Sequence, residues 1–316
     1  MKTYMFPGQG SQTRGMGAAL FDRFADLTAR ADEILGYSIR DLCVHDPHGR
    51  LKQTQFTQPA VFVVNAFTYL NKLAEGGREP DYLIGHSLGE LNALLAAGCF
   101  DFELGVQIVR KRAELMSQSS AGAMAAVMNA RAAQIEQLLL DNGFTTIDLA
   151  NYNTPSQIVI SGSEEEITRA EEIFTAAGYR YALLNTSGAF HSRLMRPAQE
   201  RFAAYLRNIA LADPKIPVIS NATALPYGAS QVQVNLTVQL ASTVRWLESI
   251  QYLRGIGFAA AEVMEIEEVG HGEVLTKLVN NIRQHMPDPP KSALGEHPPH
   301  HAPVATRLDT ADGGAG

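Results

Sequence analysis

Glu79-Pro80-Asp81-Tyr82-Leu83-Ile84-Gly85-His86-Ser87-Leu88-Gly89-Glu90-Leu91-Asn92-Ala93-Leu94-Leu95-Ala96-Ala97-Gly98 is the stretch whose reading decides the fold. Tyr82-Leu83-Ile84 is a short apolar run, set off by the Pro80 break. The run from Glu90 to Ala97 is helix-forming and is closed by Gly98. Between them lies the Gly-x-Ser-x-Gly pentapeptide Gly85-His86-Ser87-Leu88-Gly89. Strand, sharp turn, helix is the setting of a nucleophile elbow. The two glycines admit backbone angles and close approaches that a Cβ would block. The Ser87 hydroxyl is then held on a tight turn beside a helix N-terminus, whose free amides favour developing negative charge. A tight turn with no chemistry satisfies the same five residues, so the pattern alone leaves both readings open.

Composition bounds the rest. The chain has 316 residues, 46% hydrophobic and 19% charged, enough for a large packed interior. Its net charge is −7 with no block of like charges, which argues against nucleic acid as a partner. Two cysteines, Cys43 and Cys99, cannot build a disulfide framework, and a reducing cytoplasm is the expected home. Pro7 and Gly8 interrupt the N-terminus before any signal-peptide core, and no apolar run is long enough to span a bilayer.

The rhythm of the chain changes twice. Residues 1–120 read as mixed α/β, with a strand into the turn Gly8-Gln9-Gly10-Ser11-Gln12 and helices over 16–24, 27–35, 59–73 and 103–116. Residues 121–187 read as strand 124–128, helix 130–141, strands 144–150 and 157–161, helix 164–177 and strand 179–184. That βαββαβ order is the ferredoxin-like pattern, expected as an inserted small domain. Residues 188–286 return to α/β rhythm, with helices at 196–209, 234–240 and 246–254 and strands at 218–220 and 263–266. Residues 287–316 are rich in Pro, His and Gly and are expected to be a disordered tail or linker. His297, His300 and His301 fall there, with no second set of ligands to make a metal site.

A serine nucleophile needs a base. His86 adjoins Ser87 and points the other way along an extended chain. His45, His48 and His285 have weak claims. His191 lies in Ser187-Gly188-Ala189-Phe190-His191-Ser192, where the small domain returns to the large one, and pockets form at such seams. From position alone it is a base or a loop histidine. Arg112 gives the clearest physical signal. On the helix wheel Leu104, Ile108 and Leu115 lie to one side of it and Val109 and Met116 to the other, which puts a cation inside a buried stripe. An unpaired buried guanidinium is costly, so an anion should meet it, from the protein or from a substrate. The Gly8-Gln9-Gly10 turn is not a dinucleotide fingerprint, because Thr13 stands where a glycine is required. It is a plain strand-to-helix turn or an amide offered to an oxyanion.

Phe6-Pro7-Gly8-Gln9-Gly10-Ser11-Gln12, Thr57-Gln58-Pro59-Ala60, Gly85-His86-Ser87-Leu88-Gly89-Glu90, Arg112, Ala189-Phe190-His191-Ser192, Ile219-Ser220-Asn221, and Gln239-Leu240 with Val244 and Trp246 occur in that order. Over residues 1 to about 285 the chain resembles malonyl-CoA:acyl-carrier-protein transacylases, the acyltransferases of fatty-acid and polyketide synthesis. The resemblance implies a hydrolase-like α/β core with a parallel sheet and a ferredoxin-like insert. It makes Ser87 the nucleophile and His191 its base. The Gln239 backbone carbonyl then orients His191, and the Gln9 and Leu88 amides form the oxyanion hole. Arg112 becomes the clamp on the malonyl carboxylate. Phe190 and Leu88 are the residues of malonyl-selective members, where methylmalonyl-selective ones carry Ser and Gln. Two departures stand out. His271 occupies a position that is often Pro, and Thr243 replaces a common Pro before Val244.

The implied partners are malonyl-CoA and an acyl carrier protein, with the chain acting as a monomer and needing no metal or redox cofactor. The chain opens at Met1 inside the transferase unit, which implies action in trans or the leading position in a longer protein. Carrier proteins are acidic, so Arg193, Arg196, Arg201 and Arg207 are candidates for a landing surface, against a merely solvated helix face. The rival activity is hydrolysis, as an acyl-thioester hydrolase editing carrier proteins or an ordinary α/β-hydrolase. The latter needs an acid between serine and histidine, and Asp148 is the one available, in an insert that is the wrong place for it. A non-catalytic docking domain is the second rival, and the intact set of Ser87, Arg112 and His191 argues against it.

Overall fold

The computed structural model describes residues 1–119, 122–186 and 188–286. The tail expected over residues 287–316 lies outside them. Two four-stranded sheets carry the fold. The first is parallel and draws on both ends of the chain: β1 (Lys2–Phe6), β2 (Tyr82–Gly85), β7 (Val218–Ile219) and β8 (Glu265–Glu268), in the order β7-β2-β1-β8. β1 and β2 are almost wholly buried, as strands covered on both faces must be. The second sheet is antiparallel and consecutive in sequence: β3 (Ala123–Met128), β4 (Asp148–Thr154), β5 (Gln157–Gly162) and β6 (Arg180–Leu183), in the order β4-β5-β3-β6. With helices Ala132–Asp141 and Glu164–Ala176 between its strands, it has the ferredoxin-like order.

The elbow is where sequence, backbone and packing meet. β2 ends at Gly85 and helix Gly89–Ala96 begins four residues later. A Cβ on Gly85 would lie 1.9 Å from the Gly89 carbonyl carbon, and one on Gly89 would lie 2.0 Å from the Phe6 carbonyl oxygen of β1. Both glycines are therefore required by contact with backbone, which cannot move aside. Helix Phe102–Ser117 packs beside the elbow helix. Asp101 caps it by accepting from Leu104 N at 2.8 Å, and its buried stripe of Val106, Ile108, Val109, Leu115 and Met116 includes Arg112.

The small sheet is tied at β4 to the segment that leads into helix Trp246–Ala259. Val244 N donates to Ala150 O at 2.8 Å and Tyr152 N donates to Val244 O at 3.0 Å. The Thr243 hydroxyl adds a bond to Leu149 O at 2.7 Å, which a proline could not make. So the Thr243 departure contributes a contact between the two parts of the molecule as well as a change of shape.

Three local expectations are corrected. The strand expected at 144–150 runs instead over Asp148–Thr154. The Thr145 and Thr146 amides bond to the Glu166 carboxylate, at 3.2 and 2.8 Å, and so leave the ladder. The strand expected at 263–266 is Glu265–Glu268, and Val263 is 83% exposed. Its acidic side chains hid it: Glu267 pairs with Lys2 and Lys72, and Glu268 accepts from the Leu275 and Thr276 amides. Those last bonds start a helix, Val274–His285, that the sequence alone does not announce and that carries His285 in its last turn.

Gly89→Ala is expected to cost about 3 kcal/mol, because a methyl must displace β1 backbone. Urea unfolding of the variant against the parent protein measures it.

Candidate active site

Ser87 stands at φ +52° and His191 at φ +58°, both in the left-handed region that non-glycine residues avoid. The surroundings hold them there. Ser87 N donates to Asn221 Oδ1 at 2.7 Å, and Asn221 Nδ2 donates to Gly85 O at 2.6 Å, so one side chain clips the turn from both ends. His191 N donates to Leu240 O at 3.2 Å. The result brings the two side chains together: Ser87 Oγ lies 2.7 Å from His191 Nε2. On the other side of the ring, Nδ1 lies 2.9 Å from the Gln239 carbonyl oxygen. Nδ1 must therefore carry the proton, which leaves Nε2 free to accept one from the serine. Burial, and next the charge of Arg112, push His191 down to about 3, so the imidazole is neutral.

Arg112 is 1% exposed and reaches the same point. Its Nη1 donates to Gln58 Oε1 at 2.8 Å, and its Nη2 donates to Gln239 Oε1 at 2.9 Å and to Ser87 Oγ at 3.2 Å. Its Nε is buried with no partner among the described residues. All three acceptors are neutral oxygens, and none of the ion pairs among the described residues includes it. Burial lowers Arg112 to about 10 and the Glu90 charge works against that, so the guanidinium stays charged at neutral pH.

The loop after β1 closes the other side. A Cβ on Gly8 would sit 2.4 Å from the His86 carbonyl oxygen and 3.5 Å from Leu88 N, which sets this turn against the elbow. Asn65 Nδ2 fixes it by donating to Pro7 O at 2.8 Å. The Gln9 side chain turns to Thr54 Oγ1 at 3.3 Å. Among the described residues the Gln9 and Leu88 amides donate to no acceptor, whereas Ser87 N is taken by Asn221. His271 approaches the same loop, with Nε2 2.6 Å from Thr13 Oγ1. Leu88 and Phe190 are buried.

An open groove of about 600 Å³ reaches His191 between the small sheet and the segments around 191–196 and 241–243, bounded by Leu140, Phe144, Tyr152, His191, Arg196 and Thr243. His86 turns away from it, with Nε2 2.9 Å from Asn153 Oδ1 of β4 and its ring 5.5 Å from Trp246. Asp148 does not face His191. It grips the Arg193 guanidinium and accepts from Arg193 N at 2.7 Å. Arg193 thus has its charge matched, while Arg196, Arg201 and Arg207 are exposed.

Four residues that shape the site had no role in the sequence reading: Gln58, Glu90, Asn221 and Tyr227. Glu90 carried a signal, since it is an acid inside an apolar helical run, as Arg112 is a cation inside one. Asn221 carried none beyond its place in a motif.

This chain matches the acyl transferase domain family over residues 3–310. It is 50% identical, over 285 residues, to the polyketide biosynthesis malonyl CoA-acyl carrier protein transacylase BaeC of Bacillus velezensis, a match spanning 90% of this chain and 97% of that one. The crystal structure of a malonyl CoA-acyl carrier protein transacylase from Burkholderia pseudomallei superposes with a TM-score of 0.89 at 60% identity, covering 91% of this chain and 99% of that one. A malonyl-transacylase solved in complex with its type II PKS acyl-carrier protein superposes with a TM-score of 0.83 at 32% identity, covering 90% of this chain and 93% of that one. Sequence and fold agree across nearly the whole length, and the chain belongs to the malonyl CoA-acyl carrier protein transacylase family.

Proposed function

We propose that this malonyl CoA-acyl carrier protein transacylase works by a two-step exchange on Ser87. In the first step Ser87 Oγ attacks the thioester carbonyl of malonyl-CoA while His191 Nε2 takes the hydroxyl proton. The C–S bond breaks, and the departing sulfur leaves as the coenzyme A thiol with the proton from His191. A malonyl ester on Ser87 remains. In the second step the phosphopantetheine thiol of an acyl carrier protein attacks that ester. His191 takes the thiol proton and returns it to Ser87 Oγ as the C–O bond breaks. The Gln9 and Leu88 amides receive the oxyanion in both steps, a contribution of about a hundredfold in rate for each donor. The observation that carries this reading is Arg112, a buried cation 3.2 Å from Ser87 Oγ with neutral partners only. A guanidinium so placed can take the free malonyl carboxylate through two parallel bonds.

Several finer points belong to the same proposal. The chain is read as a large unit, 1–120 with 188–286, and a small one, 121–187; residues of both line the groove, which supports it as the path of the pantetheine arm. Arg196, at its edge, is the preferred contact for an acidic carrier protein, with Arg201 and Arg207 behind it. Arg193 is set aside, because Asp148 already matches its charge. Buried Phe190 and Leu88 favour an unbranched acyl group. Identity to BaeC supports polyketide assembly as the pathway served. No helix among the described residues is long and apolar enough to cross a membrane, and both cysteines are free and buried, which fits a reducing cytoplasm. The rival ordinary hydrolase loses its acid, since Asp148 faces Arg193 and the Nδ1 atom of His191 faces a carbonyl.

Mixing the protein with malonyl-CoA should add one malonyl mass to the peptide holding Ser87, and a holo carrier protein should then remove it as malonyl-carrier. Ser87→Ala should show no adduct. Release of free malonate in place of malonyl-carrier would favour the editing hydrolase. Arg112→Ala should lower the preference for malonyl-CoA over acetyl-CoA by more than about tenfold, the scale of a lost charge-assisted pair. Parallel acylation rates with the two thioesters measure it, and an unchanged ratio would refute the clamp.

A further inference from the structure

The steps above leave one buried acid without a task. Glu90 is fully enclosed in the first turn of helix Gly89–Ala96. Its Oε1 accepts from Asn221 N at 3.1 Å and from the Tyr227 hydroxyl at 2.5 Å, and its Oε2 accepts from Gln239 Nε2. A carboxylate has no proton to give, so only the amino end of the Gln239 amide can face it. That same nitrogen donates to Ser87 O at 2.9 Å. The oxygen end of the amide is thereby turned to Arg112, whose Nη2 donates to it at 2.9 Å.

We propose that Glu90 is the positioning residue for the guanidinium: it locks the Gln239 amide in the orientation that presents an oxygen to Arg112, and so sets the selectivity of the site for acyl groups with a free carboxylate. The inference rests on the reading of Arg112 as the malonyl clamp. With an amide at position 90, a nitrogen can face Gln239. Gln239 then turns over and offers its amino group to Arg112, donor against donor, and the guanidinium leaves its station.

The lock needs a charged carboxylate. Burial raises Glu90 to about 7, against the opposing pull of Tyr227, Gln239, Asn221 and the Arg112 charge. The titratable groups around it hold still near neutrality. Arg112, from helix Phe102–Ser117, stays charged up to about 10. His191 stays neutral down to about 3. Burial holds Tyr227 well above its ordinary value, and burial raises Cys99 to about 12. Asn221 and Gln239 do not titrate. Above about 7 the Glu90 carboxylate is charged and the lock is closed, and as the pH falls through about 7 a proton enters and the lock opens.

The test measures acylation of Ser87 in the full chain by malonyl-CoA and by acetyl-CoA and reads the ratio of rates, in which losses common to both thioesters cancel. Glu90→Gln should lower the malonyl-to-acetyl ratio about tenfold, the scale of one charge-assisted hydrogen bond. In the parent protein the ratio should fall severalfold from about pH 8 to about pH 6, a range in which a malonyl carboxylate stays ionised. In Glu90→Gln it should be flat with pH. Arg112→Ala, run alongside, separates the two ideas. If it keeps the parent ratio, the clamp fails and the lock falls with it. If it loses the ratio while Glu90→Gln keeps it, the clamp stands and the lock is overturned. Should Glu90→Gln not fold, Gln239→Met, which keeps the backbone carbonyl and removes the oxygen held to Arg112, should lower the ratio to a similar extent, and an unchanged ratio there overturns the lock.

Discussion

A full positive charge sits in the interior of this protein with only neutral oxygens to receive it. Moving a guanidinium out of water carries a penalty of several kcal/mol, even after relaxation. Gln58, Gln239 and the Ser87 hydroxyl offset part of that, and Glu90 offsets more from one amide away. Contact with Glu90 itself would match the charge and close it off. Held at one remove, the charge remains and the fold has to be built around it. Helix Phe102–Ser117 brings the arginine, helix Gly89–Ala96 brings the acid, and helix Val232–Gln239 brings the amide between them. The first two of these helices are buried over most of their length and the third along one face through Val232 and Leu236, and that packing is what holds an electrostatically unfavourable centre together.

Local chain preference yields at the same place. Ser87 and His191 are both held in the left-handed region, a conformation that costs about 1–2 kcal/mol per residue. The surroundings over-determine it. Asn221 spends all four of its polar backbone and side-chain groups here: N to Glu90, Oδ1 from Ser87 N, Nδ2 to Gly85 O, and O from Arg245 N. Gly85 and Gly89 are the complement of that strain, because the turn can tighten only where neighbouring backbones touch without a Cβ between them. Strain gathered at a functional turn and supported from outside it is the usual pattern.

What could be read from the sequence followed from period and punctuation. Arg112 was legible because a helix wheel forces a cation into an apolar stripe, and the structure buries it there. The order of the small sheet was legible because Asn142-Gly143 and Pro155-Ser156 mark its breaks. The β8 strand was displaced because its residues are acidic, and acidity in a strand is tolerated only when partners are present, here Lys2, Lys72 and two helix amides. Those partners lie far away in sequence, so no local pattern announces them. The same holds for the convergence of Asn221 and Gln239 on Ser87 and of Gln58 on Arg112. Each is a polar residue in an ordinary helix or loop, and only the packing of separate elements gives it a destination. His191 was legible as a residue at a seam, and its distance from Ser87 is a tertiary fact.

The proposed mechanism has no carboxylate behind His191, and Gln239 supplies the physical reason. Gln239 ends helix Val232–Gln239, where the last carbonyls have no amide four residues on to satisfy them. Its carbonyl receives the His191 Nδ1 proton at 2.9 Å and only a long contact from Ser242 N at 3.4 Å. The C-terminal end of a helix carries about half a negative charge. That is enough to fix the tautomer and turn the ring, and it brings no full charge that would pair with Arg112 close by. A carboxylate at this point would compete with any anionic acyl group for the same guanidinium. The fold supplies the weaker acceptor from the backbone. It keeps its one acid behind the Gln239 side chain, where the acid's pull reaches the cation through an amide and leaves the approach to Ser87 open.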